Sequence, residues 1–444
     1  MMTLHVQAVP EAGESRRFFD PEMETISREA LEALQFERLS KIIRVAYDKG
    51  ALIRAKWDEA GVTPDDIQSL DDFRRKVPFI SKDDLRAWTA RTGDPFGGLL
   101  CVERSALRQI TGTSGTTGDP TLLAHTRITP PTGSSFWNRY FWESGLRPGD
   151  TVIICIPTTR GPSVKIAMEF GLVPLLVDHD PRELSRLVEL ARVYKPKAML
   201  IMSTPLVIGL EKLEAETDVD LRAIFEPMKM VAFGGEAPGG RALMLAQRWG
   251  MKIINLLNAG DSSVVLDCSA QDGAHPWEDE LLIEHVDPQT FMQVEEGGVG
   301  ELVVTTLENT VDPLVRYRAD DLVRLTRQPC KCGRTHARFK VLGRAGDEVV
   351  VNEQCILPRD VGPMVEAFPE TKAGLYQLVK PQRVMPELWV RVGYDGQPDL
   401  DALRQRLATH VSEMLGLPAK VELVPNEELL KQGPPHKIPR IVKI

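Results

Sequence analysis

The sequence predicts an α/β fold: a large N-terminal domain of parallel-strand layers with crossover helices, then a small α+β domain at the C-terminus. Three observations predict it. Short β-rich runs recur at 151–157 (TVIICIP), 173–179, 198–203, 230–235 and 252–258, and helical segments such as PRELSRLVELARVY at 181–194 stand between them. Such alternation builds parallel sheets, because parallel neighbours need a crossover connection. The texture then changes after about residue 300, where GELVVTTL at 300–307 reads as a strand and short strands with two amphipathic helices fill 345–444. Finally, 444 residues are too many for one ordinary core.

The first element in order is helical: 24–60 places apolar residues at helical spacing. The β-rich runs and their helices follow, and LGRAGDE at 342–348 reads as the linker to the last domain. Composition excludes several classes. Hydrophobic residues are 43% and charged residues 26%, as in soluble globular proteins. The net charge of −9, with no long Lys/Arg run, argues against a nucleic-acid or anionic-membrane surface. No apolar run approaches the roughly 20 residues that cross a bilayer. The first twenty residues lack an apolar signal core. Six cysteines in a chain this long make no disulfide scaffold, so a reducing cytoplasm is the expected location.

GTSGTTGDPT at 112–121 carries three glycines and five hydroxyl residues after a strand-like run. Small residues let backbone N–H groups converge on an anion, and hydroxyls add donors. The loop therefore reads as a phosphate cradle, against a plain Ser/Thr/Gly surface turn. It lacks the Gly-Lys-Ser/Thr ending of a Walker A loop.

TSGTTGDPT resembles the phosphate loop of the adenylate-forming enzymes, the acyl-CoA synthetase and luciferase superfamily. The surroundings narrow the resemblance to phenylacetate-CoA ligases and their relatives: residues 46–86, LRPGDTVIICIP at 146–157, VDPLVRYRADDLVRL at 311–325, LGRAGDEVVV at 342–351 and the closing GPPHKIPRIVKI. It covers nearly the whole chain from about residue 24.

The resemblance implies AMP-forming activation of a carboxylic acid, with an aryl or arylacetic acid as first choice. ATP and the acid give an acyl-adenylate and pyrophosphate, and CoA then displaces AMP. Transfer to an amine or a carrier-protein thiol stays open, encouraged by Glu353 where the family usually has Gly. A homologue that binds nucleotide or acyl ligand without turnover also stays open. The implied domains are 1–343, for ATP and acyl substrate, and 344–444, a mobile lid carrying the adenylation lysine, with Gly346 at the pivot. The implied partners are small molecules only, with a homodimer as the assembly.

Residue by residue, Thr113, Ser114, Gly115, Thr116, Thr117 and Gly118 match the phosphate loop, with Asp119 where the family often has Lys. FGGEAPG at 233–239 matches the adenine segment, so Gly235, Glu236 and Ala237 would line the base. Asp321 matches the Asp that binds both ribose hydroxyls, since one carboxylate accepts from a cis-diol. Ala319-Asp320 replaces the family's Thr-Gly before it. Arg344 would also reach the ribose. Lys437 matches the lysine that counters repulsion between carboxylate and α-phosphate. LNAGDSS at 257–263 departs most: the family has Tyr-Gly-x-Thr-Glu, whose Glu helps hold Mg²⁺, and Asp261 is the preferred replacement over Ser263.

Cys268, His275, Cys330 and Cys332 suit a tetrahedral structural zinc site, with His336 in reserve. Some relatives look alike here; core cysteines beside a surface turn are the alternative. Phe136, Trp137, Tyr140, Phe141 and Trp142 lie at helical spacing and read as core before acyl pocket, whereas TTRGPS at 158–163 falls where the family faces its acid.

Overall fold

The computed structural model describes residues 16–112, 122–126, 134–155, 163–178, 183–259, 263–433 and 437–443. The chain forms two compact units. The first comprises Met1–Asp150, Pro157–Pro174 and Leu257–Val341, and the second Thr151–Ile156, Leu175–Leu256 and Leu342–Ile444.

The first unit opens on helices whose starts are written locally. Ser27 caps Arg28–Lys49 by accepting from the Ala30 amide, and Ser69 caps Leu70–Lys76 in the same way. Ser81 and Asp84 form a reciprocal capping box for Lys82–Thr92, which ends at left-handed Gly93. These helices and the helix Ala51–Glu59 bury Leu39, Ile43, Ile53, Trp57 and Phe73 in one core with Leu282, Leu302, Val304 and Tyr317. The latter come from antiparallel strands Leu281–Val286, Val299–Thr306 and Tyr317–Thr326. The aromatic run at 137–142 is also core: Trp137, Tyr140, Phe141 and Trp142 are buried, and Phe141 meets Phe170 edge-on.

In the second unit, Thr151–Ile154, Ala198–Met202, Met230–Phe233 and Ile253–Ala259 pair in parallel. The helices Leu184–Tyr194, Thr204–Glu216 and Gly240–Arg248 contribute Leu187, Leu206 and Leu245 to a core shared with Met199, Val231 and Phe233. The C-terminal part of the unit is α+β. Its four-stranded sheet runs in the order Ala419–Pro425, Leu388–Tyr394, Tyr376–Val379, Ile441–Val442. The helix Leu400–Leu415 lays Leu403, Leu407 and Val411 against Val390 and Val392. Among the described residues, no helix is long and apolar enough to cross a membrane.

Candidate active site and metal centre

The phosphate-loop residues Thr113, Ser114, Gly115, Thr116, Thr117 and Gly118 lie outside the described residues, as do Asp119, Asp261 and most of TTRGPS. The strands flanking the loop are described. Leu107–Gly112 and Leu122–Thr126 pair antiparallel, placing both ends of the loop side by side. Buried Asp312 accepts from the Ala124 amide at 2.8 Å, which ties the exit strand to the VDPLVRYR segment. Burial pushes the Asp312 carboxyl up to about 6.

Gly235, Glu236 and Ala237 follow the carboxyl end of Met230–Phe233, and Thr204 follows the carboxyl end of the neighbouring parallel strand. Open α/β sheets bind ligands beyond these strand ends. Gly235 has φ +91°, a turn that favours glycine. Glu236 is held from two sides, accepting from Thr204 Oγ1 and Arg440 Nε, both at 2.7 Å.

Asp321 is buried in Tyr317–Thr326 beside an irregularity in the ladder. Glu301 faces Leu322 while Val303 faces Arg318, so extra chain at 319–321 bulges out. Such a bulge re-aims side chains and ends regular pairing. It is pinned by the fully buried Glu301 carboxylate, which accepts from Arg318 Nη2 at 2.7 Å and from the Asp320 amide at 3.3 Å. Asp320 has φ +60°. The resemblance gives glycine at this position, and holding a non-glycine residue there costs about 1 kcal/mol. Glu353 follows the same pattern. With Asn352 it closes the two-residue hairpin between Val349–Val351 and Gln354–Ile356, and both have positive φ, 48° and 65°.

Arg344 and Lys437 belong to one electrostatic neighbourhood in the second unit. Burial raises the Asp347 carboxyl, and Arg344, Lys437, Lys380 and Lys443 oppose that rise. Lys437 is half-buried, and the adjacent Ile438 is anchored with Leu375 and Leu429. Gly346 lies in the turn between, with φ +88°; its carbonyl accepts from Lys380 Nζ at 2.6 Å.

Cys268, His275, Cys330 and Cys332 are buried, and their ligand atoms all lie within 4.8 Å of one another. Two isolated bridges, Asp267 with Ala274 and Ala274 with Phe339, zip three stretches of chain together, and Gly333 with φ +87° turns the Cys330–Cys332 pair. The sulfurs of Cys268 and Cys330 are 3.7 Å apart, and Cys332 Sγ is 3.3 Å from His275 Nε2. A zinc tetrahedron with bonds of about 2.3 Å to sulfur has edges of roughly 3.8 Å. His275 Nδ1 faces the carbonyls of His336 and Ala337, both at 3.0 Å, so it carries the proton and leaves Nε2 free to ligate. Contact with Cys268, and then with His275, lowers the Cys332 thiol, and the same contact raises that of Cys268, so the two share one proton. The residues fit zinc. His336 is engaged elsewhere, accepting from the Glu278 amide at Nδ1 and meeting Met23 O at Nε2.

The sequence does not single out Glu301 or Arg440. Arg440 lies within the closing GPPHKIPRIVKI and Glu301 within the strand-like GELVVTTL, and neither has a partner that its own stretch reveals.

No protein-family model matches the chain. The chain is similar to 2-hydroxyisobutyryl-CoA ligase in the postadenylation state with an acyl-AMP, at TM-score 0.85 and 27% identity over 99% of this chain and 94% of that one. The same ligase with 2-HIB-AMP and CoA in the thioesterification state matches at TM-score 0.70 and 27% identity, covering 98% and 94%. The fold is therefore that of the adenylate-forming CoA ligases. Phenylacetate-coenzyme A ligase of Thermus thermophilus is 31% identical over 437 residues, 92% of this chain and 95% of the relative. The chain belongs to the phenylacetate-coenzyme A ligase family, whose members are AMP-forming acid–thiol ligases.

Proposed function

We propose that the protein activates an aromatic or arylacetic carboxylic acid with ATP and transfers the acyl group to CoA. The observation that carries this reading is the 31% identity over 92% of the chain to a phenylacetate-coenzyme A ligase, and the match to a ligase held with an acyl-adenylate supports the adenylate chemistry. In the first step a carboxylate oxygen attacks the α-phosphorus and pyrophosphate leaves. In the second the CoA thiolate attacks the acyl carbon, and AMP departs with the bonding electron pair. Positioning and electrostatics carry the first step, because two anions must meet. In this reading the 113–118 loop cradles the phosphates, the 235–237 turn lines adenine, and Asp321 with Arg344 takes the ribose. Lys437 sits between carboxylate and α-phosphate. Asp261 is the residue that would hold Mg²⁺, whose charge offsets that of the triphosphate. Cys268, His275, Cys330 and Cys332 would hold a structural zinc. A cytoplasmic location and a homodimer belong to the same reading.

Pyrophosphate exchange across a panel of acids tests it. Exchange with CoA consumption is the expected result. Exchange without CoA consumption would move the acceptor to an amine or a carrier thiol, a reading to which the Glu353 turn lends weight. No exchange with any acid would leave a binding homologue.

The two steps need Lys437 close and then a second nucleophile in its place, so we also propose rotation of the segment after residue 343 about Gly346. Proline cannot hold the +88° φ of Gly346, and it lacks the amide that donates to Glu348 at 2.6 Å. Gly346→Pro is therefore expected to depress one half-reaction far more than the other. Near wild-type rates for both would move the pivot elsewhere.

A further inference from the structure

Glu366 is the C-cap residue of the helix Pro358–Val365, yet its carboxylate serves a different helix. It accepts from the backbone of Gly240 and, at 3.1 Å, from the Arg241 amide, in the first turn of Gly240–Arg248. That helix begins at Gly239 without a side-chain cap of its own. Its orphan amides are instead met by a residue 125 positions away, with the charge matched to the helix dipole. The seat is shaped for this group. A Cβ on Gly239 would stand 2.2 Å from one carboxylate oxygen, on Gly240 2.7 Å from the other, and on Gly374 2.7 Å from the first. A cavity of about 20 Å³ beside it, bordered by Thr204, Val207 and Ala373, leaves room for a single water.

A second carboxylate completes the contact. Arg440 bonds Glu236 through Nε, and its Nη1 donates to the carbonyls of Gly374 and Tyr376 at 3.0 and 3.2 Å. Arg440 follows Lys437 by three residues, and buried Ile438 lies between them.

We propose that Glu366 is a positioning residue for adenylation: seated on the 240–241 amides and against Gly374, whose carbonyl grips Arg440, it fastens the 366–376 stretch to the 240–241 helix start and, through Arg440 and the pairing of Leu378 with Ile441, sets where segment 437–442 and Lys437 stand. This rests on the reading that Lys437 serves the first half-reaction. A lysine has a flexible stem, and its placement in a transition state depends on how rigidly its backbone is held. One charge-assisted contact, Arg440 to Glu236, holds that backbone directly, and Glu366 holds the neighbouring stretch whose Gly374 carbonyl Arg440 also grips.

Glu366→Ala and Gly239→Ala attack the seat from opposite sides. Amide hydrogen exchange is measured over 240–243 and 437–442, together with pyrophosphate exchange and thioester formation from a supplied acyl-adenylate. Each variant is expected to speed amide exchange in both segments. Each should lower pyrophosphate exchange about tenfold, on the order of one helix cap with its dipole contact, and leave thioester formation unchanged. The double variant should be no worse than Glu366→Ala alone, because both changes remove the same contact. Unchanged protection of 437–442, additive losses, or equal falls in both half-reactions would overturn the proposal. A wild-type protein without pyrophosphate exchange would defeat the functional reading instead, and the amide-exchange comparison would still decide the seat.

Discussion

Lys437→Ala is expected to remove most pyrophosphate exchange, by roughly 10²–10³-fold, while thioester formation from a supplied acyl-adenylate stays close to wild type. That range is typical for the loss of one preorganised group facing developing charge. In the first half-reaction a carboxylate approaches a triphosphate, so like charges converge before any bond forms, and a fixed ammonium between them offsets that repulsion. In the second, the adenylate is already made and the attacking group is a thiolate at the acyl carbon. The ammonium has no comparable charge to neutralise there. The truncation should spare the fold, because the segment is anchored by Ile438 in its apolar cluster and by Arg440. Equal loss in both half-reactions would remove Lys437 from its assigned role.

Purified protein is expected to contain one zinc per chain, and Cys332→Ser is expected to lose it. Breaking a buried, mutually compensated charge cluster costs about 3–5 kcal/mol, which lowers the unfolding midpoint of a unit of a few hundred residues by roughly 10 °C. Incubation with a strong chelator should produce the same shift in the wild-type protein and none in Cys332→Ser. The His275 tautomer adds a second handle. Its Nδ1 proton is committed to the carbonyls of His336 and Ala337, so His275→Gln keeps a polar group but not the ligating nitrogen. It should weaken zinc retention before it unfolds the protein. Absence of zinc by elemental analysis, with full thermal stability in chelator, would make these core cysteines and nothing more.

Much of this molecule is legible from local sequence because its signals are local. Parallel strands announce themselves as short apolar runs with helices between, since each strand is buried on both faces. Helix starts at Ser27, Ser69 and Ser81 are written in one turn of sequence, because a cap joins residues two or three apart. The candidate chemistry is legible for a similar reason. Glycine and hydroxyl residues gather where a backbone must approach an anion, and a Cys-His pair with a later Cys-x-Cys marks candidate zinc ligands, with core cysteines as the alternative.

Contacts set by register and packing between distant segments were decided only in three dimensions. Cys268 and Cys330 are 62 residues apart, and nothing in either stretch encodes the bridges through Ala274 that bring them to 3.7 Å. Asp320 reads as an ordinary charged residue until the Glu301 ladder shifts and leaves it in left-handed backbone. Glu366 reads as a solvated carboxylate at a helix end, the usual fate of glutamate. Its seat on Gly240–Arg248 exists because three glycines from two separate stretches leave room for it. A periodic pattern reports which face of an element is buried, but it carries no information on which distant amide that face will meet.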